Sequence, residues 1–417
     1  MIHGATSFFD HLVQAGWALW DNRLRTILSM LGIMVGIAAV VTVGTLTKGG
    51  HHMIFRELHT FGLTSTWVFR AEEDKDPNRA VREGSGIDND DLEVIRSGCC
   101  PAVKRVTPMV MGWVKRMIIR FGNRYSHGQI EGVGSEYTRI NNDTVIMGRH
   151  LERADELRRK PVVIIGPTVR SDLFMMHDDP VGKEIYIDGR KFVIVGVLET
   201  KSRDFMTSIG VGAAFGDVNN RILMPFTVLQ QMLGKKEIDV LQAEAVDLGV
   251  SELAVSQMVR VLQHRHDDRY SYKGETMAQY ISTANRILQG VSVIGVVAAS
   301  VSLLVGALGI MNMMGTSVLE RTREIGLRKA IGARRRDILL QFLLEAALIS
   351  SVGGFLGLIL GSLVSYALTL LTGFPLMTSW MVVIIGLVVS VGVGLLSGYY
   401  PARRAAMMHP VEALRYE

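Results

Sequence analysis

Residues 287–337 read ILQGVSVIGVVAASVSLLVGALGIMNMMGTSVL and then ERTREIGLRKAIGARRRD. The first 33 residues, Ile287 to Leu319, carry no charge, and seven of the next 18 are basic: Arg321, Arg323, Arg328, Lys329, Arg334, Arg335 and Arg336. A helix needs about 20 apolar residues to cross a bilayer. The uncharged run therefore predicts a membrane span with length to spare, projecting beyond the membrane at its N-terminal end.

Working outward, the same signal recurs three times. Residues 26–47 form a run of 22 uncharged residues between Arg25 and Lys48. That is too long for the apolar core of a signal peptide, and no small-residue cleavage site follows, so it reads as an uncleaved anchor. From Ala346 to Ala402 there is no charge at all. The Thr372-Gly373-Phe374-Pro375 stretch breaks this run, because Gly and Pro favour a turn. Spans are thus expected over 26–47, 287–319, 338–371 and 380–400. Of the 85 Asp, Glu, Lys and Arg residues, 65 lie in residues 48–286, which makes that stretch water-soluble. The fold class is a four-helix membrane protein with a mixed α/β extracytoplasmic domain inserted between the first and second helices.

Orientation follows from the basic residues of the short segments. The loop 320–337 is strongly basic and the loop 372–379 has no Lys or Arg. Arg23 and Arg25 precede the first span, and Arg403, Arg404 and Arg415 lie in the tail 401–417. These segments belong on the cytoplasmic side, with both termini, and residues 48–286 belong outside. The net charge of +5 is then topogenic, and no nucleic-acid partner is implied. Residues 1–25 form a cytoplasmic lead-in. Within 7–25, Phe9, Leu12, Val13, Gly16, Trp20 and Leu24 recur at helical spacing, and Trp17 and Trp20 suit headgroup depth. A plain extension of the first span fits these residues equally well.

The outer segment alternates strand-like and helix-like runs. Ser65–Phe69, Met117–Arg120, Val162–Ile165, Glu184–Ile187 and Phe192–Val197 are short and rich in β-formers. Asp188-Gly189 between the last two is a hairpin turn signal. Ser251–His264 places Leu253, Val255, Met258, Val259 and Leu262 on one helical side. Cys99 and Cys100 are neighbours, whose bridging would close a strained ring. They read as incidental thiols.

Within the spans, Gly32 and Gly36 are four apart, as are Gly353, Gly357 and Gly361. Such spacing lets helix backbones approach closely in lipid. It serves either packing within one subunit or contact between two. Glu345 is the one charge inside the long apolar stretch, and an acid at such a position is a functional candidate. Eight residues past Asp337, it equally suits headgroup depth.

Motifs of catalysis do not occur. There is no Gly-x-x-x-x-Gly-Lys-Ser/Thr phosphate loop. Gly234-Lys235-Lys236 lacks the upstream Gly and the hydroxyl residue. Gly210-Val211-Gly212 does not complete a dinucleotide fingerprint, and no Gly-x-Ser-x-Gly elbow appears. His51-His52 and His264-Arg265-His266 have no Cys or helical His partner and read as surface histidines.

Two segments carry a resemblance. Val318–Asp337, with Arg-Thr-Arg-Glu-Ile-Gly followed by Lys-Ala-Ile-Gly-Ala, is similar to a signature of the FtsX-like permease family of ABC transporters. So is the tail Pro401–Glu417. Asn22–Arg25 leading into Leu31-Gly32-Ile33, and the outer segment Ile185–Glu199, resemble the MacB branch. The resemblance implies a permease subunit without ATPase motifs, coupled to a separate ATPase subunit. It binds no cofactor itself, and ATP and Mg belong to the partner. It further implies a homodimer, or a heterodimer with a related permease, in the cytoplasmic (inner) membrane. Gram-negative relatives also pair with a periplasmic adaptor and an outer-membrane exit duct. Export would proceed by mechanotransmission, in which ATP hydrolysis below moves the outer domain. The implied coupling residues are Arg321, Arg323, Glu324, Ile325, Gly326, Leu327, Arg328 and Lys329. Glu324 and Arg328 stand at i, i+4 on a short helix over Thr322–Lys329, and Ile325 and Leu327 are expected to dock in a groove of the ATPase. The alternatives are an FtsX-like regulator of cell-wall hydrolases and a lipoprotein-releasing complex. A membrane-bound enzyme is disfavoured by the missing motifs.

Overall fold

The computed structural model describes residues 23–71, 86–112, 117–175, 177–201, 217–267, 270–372 and 380–414. The lead-in residues up to Asn22, Gly210-Val211-Gly212, the loop 373–379 and residues 415–417 lie outside them. The chain divides into two units, Met1–His52 with Asn285–Glu417, and Met53–Ala284.

In chain order the first elements are α1 (Arg23–His59), β1 (Ser65–Arg70), α2 (Asn89–Val94), β2 (Val103–Met111), β3 (Ile119–Phe121), β4 (Arg124–Ser126), β5 (Gln129–Val133), α3 (Tyr137–Ile140) and β6 (Val145–Gly148). Next come α4 (Arg153–Leu157), β7 (Val162–Ile165), α5 (Pro167–Leu173), β8 (Glu184–Ile187), β9 (Arg190–Leu198), β10 (Arg221–Pro225), α6 (Phe226–Leu233), β11 (Val240–Ala245), α7 (Ser251–Arg265) and β12 (Tyr272–Thr276). The last are α8 (Met277–Glu320), α9 (Thr322–Ala330), α10 (Arg335–Thr372), α11 (Trp380–Met407) and α12 (Pro410–Leu414).

Among the described residues, four helices are long and apolar enough to cross a membrane, over Ile27–Phe55, Met277–Glu320, Arg335–Leu371 and Trp380–Met407. The helices outrun the uncharged segments because charge limits what enters lipid, not what stays helical. α8 begins ten residues before Ile287, where a capping box starts it. The Gln279 amide donates to the Thr276 hydroxyl at 3.2 Å, and the Thr276 amide donates to the Gln279 side chain at 3.4 Å. Val297, Val301, Leu304, Val305 and Leu308 of α8 stand exposed, an arrangement suited to lipid and not to water.

With no hydrophobic drive between helices in lipid, close packing must hold them. A Cβ added at Gly32 would lie 2.6 Å from Gly306 Cα, so the backbones of α1 and α8 touch there. One added at Gly357 would lie 2.7 Å from the Met34 carbonyl, and at Gly361 2.9 Å from the Ala38 carbonyl.

In the unit Met53–Ala284, the described strands form one 12-stranded mixed sheet in the order β12-β1-β11-β2-β5-β10-β7-β9-β8-β3-β4, with β6 on β9. β7 and β10 are buried along their whole lengths, the continuous apolar pattern of strands covered on both faces. Arg221 on β10 is the exception in chemistry. Its guanidinium meets Asp143 at 2.7 Å, and Lys201 meets the same carboxylate oxygen at 2.7 Å. β8 and β9 pair from Ile187↔Arg190, and Asp188 and Gly189 between them have φ of 50° and 78°. That is the two-residue turn the Asp-Gly pair predicts.

Candidate coupling site

The loop 320–337 folds as α9, with turns on either side. The Thr322 hydroxyl donates to the Val318 and Leu319 carbonyls at 3.0 and 2.9 Å, joining α9 to the end of α8. Gly332, at φ 107°, lies just beyond α9 in a conformation that favours glycine. The Arg334 amide then donates to the Asp337 carboxylate at 2.9 Å and starts α10.

Every side of α9 but one is engaged within the chain. Ile325 is 3% exposed and packs in a cluster with Val318, Ile338, Phe342, Ala402, Ala405 and Ala406. A Cβ added at Gly326 would lie 2.7 Å from the Cβ of Ala413 on α12, so this glycine permits the tail to close on α9. Lys329 Nζ donates to the Ala406 and Met408 carbonyls at 2.6 and 2.7 Å, at the C-terminal end of α11. Burial, with the neighbouring Arg335 charge, lowers its pKa below the ordinary lysine value. Arg328 donates to Gln341 of α10 at 2.6 Å and to Glu324 at 2.6 Å. Arg321 lies 3.7 Å from Glu345.

The free side presents Arg323, Leu327 and Ile331, four residues apart. Leu327 is 53% exposed and Ile331 78%. The expectation for Ile325 is therefore corrected. It serves the chain's own core, and the outward apolar pair is Leu327 with Ile331. Gly326, Arg328 and Lys329 likewise hold α9 in place, while Arg323 and Glu324 remain exposed. Sequence reasoning missed Gln341, Ala413 and the two carbonyls of α11's end, which no local pattern marks.

The other candidates sort as follows. Gly32 and Gly36 pack on α8 at Gly306 and Leu303, and Gly353, Gly357 and Gly361 pack on α1. All five thus lie against helices of the same chain. Glu345 is buried and faces Arg321, a loop cation. Among the described residues no group of three or more His, Cys, Asp or Glu is placed to hold a metal ion. His266 is more than a surface histidine, because its Nε2 lies 2.8 Å from the buried Asp91.

Four membrane-length helices, a sheet domain inserted between the first two, and a braced basic loop helix define a multi-pass membrane protein with an extramembrane domain. Comparison with known proteins narrows that class. The family described as MacB-like periplasmic core domain matches residues 26–261, and the one described as FtsX-like permease C-terminal matches residues 296–410. The macrolide export ATP-binding/permease protein MacB of Bdellovibrio bacteriovorus is 35% identical over 98% of this chain and 62% of its own length. MacB of Rhodopirellula baltica is 33% identical over 98% of this chain and 62% of its own length. The pyoverdine export ATP-binding/permease protein PvdT of Pseudomonas savastanoi pv. phaseolicola is 34% identical over 97% and 59%. The chain belongs to the MacB-like, FtsX-like family of ABC transporter permeases. It spans about three-fifths of the length of the curated relatives it matches.

Proposed function

We propose that these residues form the membrane-spanning part of an ABC exporter that works by mechanotransmission. ATP and Mg bind to an ATPase component of the transporter, and α9 is where it pushes. The observation that carries this reading is the bracing of α9. Arg328 ties it to α10, Lys329 to the end of α11, Ile325 to the shared core and Gly326 to α12. A force applied to its exposed Leu327–Ile331 side reaches several spans together. The relatives of similar identity are named for macrolide and for pyoverdine export, which commits the proposal to export and not to one cargo. A dimer of permeases, a periplasmic adaptor and an outer-membrane exit duct complete the proposed assembly. The inner membrane is its site, with both termini cytoplasmic.

The test is the pair Leu327→Ala with Ile331→Ala. Both side chains are exposed, so insertion and thermal stability should stay at wild-type values. Docked apolar anchors lose roughly 1–3 kcal/mol or more on truncation, and co-purification of the ATPase should fall by tenfold or more. Undiminished co-purification would refute docking on this side of α9.

A further inference from the structure

A cavity of about 560 Å³ opens between the ends of α8 and α11 and the short helix α12. Its size falls within the roughly 300–1,000 Å³ of small-molecule sites. Met311, Leu319 and Met408 give it an apolar side, and Tyr400, Arg404 and Glu412 line its polar side. Its depth can be read from the sequence. Leu319 is the last uncharged residue of α8, and Ala402 ends the uncharged run of α11 before Arg403 and Arg404. From Met311 to Leu319 the helix rises about 12 Å. The cavity therefore runs from inside the hydrocarbon to the headgroup layer, where Arg404 and Glu412 stand. Tyr400 is 67% exposed at that boundary, the usual place for an amphipathic ring. Among the described residues neither Arg404 nor Glu412 makes an ion pair.

We propose that this cavity holds one phospholipid with a zwitterionic, primary-amine headgroup, a phosphatidylethanolamine. The guanidinium of Arg404 donates to the phosphate, the ammonium donates to the carboxylate of Glu412, and an acyl chain lies along Met311 and Leu319. Charge decides the class. A site for an anionic lipid would have no use for Glu412, and a trimethylated choline head has no N–H to give it. The inference needs only the span boundaries, so it stands apart from the export reading.

The experiment measures lipid retained by the full chain in nanodiscs of defined mixtures, released into detergent and weighed by native mass spectrometry. The wild type should keep one phosphatidylethanolamine per chain, at least tenfold over phosphatidylcholine and phosphatidylglycerol. Arg404→Gln should lose bound lipid of every class. Glu412→Gln should keep lipid but lose the preference for the primary amine. Arg403→Gln, a neighbouring exposed cation that does not line the cavity, should behave as wild type. Equal retention of ethanolamine and choline lipids overturns the proposal, as does preference for phosphatidylglycerol. So does absence of retained lipid together with disulfide cross-linking of two copies through Thr316→Cys, which would show a second chain covering the cavity. The wild-type comparison among the three lipids decides the matter even if a variant fails to fold.

Discussion

Among the described residues, Lys329 directs its charge at two carbonyls and at no carboxylate. Ala406 and Met408 lie at the C-terminal end of α11, where unsatisfied carbonyls and the negative end of the helix dipole coincide. An ammonium there satisfies acceptors that would otherwise be exposed, and it fixes α9 to a span 77 residues away in sequence. Hydrogen bonds of a charged donor contribute about 1.5–3 kcal/mol net. Lys329→Gln should therefore raise the population of opened loop roughly tenfold or more. Limited trypsin cleavage after the exposed Arg334, Arg335 and Arg336 reads that population. The expected result is a several-fold faster cleavage in Lys329→Gln and a smaller rise in Lys329→Arg. An unchanged rate would show that the lysine does not hold α9. Nothing in the local sequence announces this role. The Glu324–Arg328 pair was legible, because i, i+4 neighbours need only a helix, and it closes at 2.6 Å. The partners of Lys329 and Ile325 depend on where the tail folds, and the sequence near them is silent on that. Two apolar residues of one short helix were read as equivalent, and only the packing separates the buried Ile325 from the exposed Leu327.

Among the elements, the spans were the most legible part, since lipid tolerates few charges and twenty apolar residues have few other uses. Their ends were not, because capping at Thr276 and helix-permissive residues after Lys48 lie outside any apolar count. The strands divide in the same way. β7, β8 and β9 follow from β-branched runs and the Asp188-Gly189 turn. β2 was hidden by Pro108, which removes a ladder donor. Its strand-mate β5 pairs only from Met109 onward, and the Pro108 carbonyl still accepts from the Gly134 amide at 3.3 Å. β10 was hidden by Arg221, whose burial makes sense only once Asp143 stands beside it. The glycine rows were seen, and each of their glycines lies against a helix of the same chain, which favours packing within one subunit. Gly357 faces the Met34 carbonyl and Ile37 of α1. Gly357→Leu should push α10 from α1, and overpacking of this kind costs typically about 1–3 kcal/mol. The thermal transition of the purified chain in detergent should fall by several degrees while its oligomeric state stays as in the wild type. A changed oligomeric state at unchanged thermal stability would place the glycine row on a neighbouring subunit.

At the scale of the whole molecule, the distribution of charge makes one statement about direction. The basic loop 320–337 and the basic ends of the first and last spans should share a side, opposite to residues 48–286. The chain carries a native reporter for the second side. Cys99 is exposed in the unit Met53–Ala284, whereas Cys100 is buried and its thiol is pushed up to about 12 by burial, reinforced by its hydrogen bond with Cys99. Thiolate is the reactive form, so a folded chain should present one labelling site and not two. In sealed vesicles of right-side-out orientation, a membrane-impermeant maleimide should label wild type through Cys99. In a Cys99→Ser background, Asn123→Cys should be labelled and Ala333→Cys should not. In inside-out vesicles the pattern should reverse, with Ala333→Cys labelled and the two outer sites silent. The reversal matters because it separates orientation from mere accessibility. Labelling of Ala333→Cys from outside would invert the molecule, and with it the premise that an ATPase in the cytoplasm reaches α9. Labelling of Asn123 and Ala333 from one side would mean that α8, which lies between them, does not cross the membrane as the charge pattern requires.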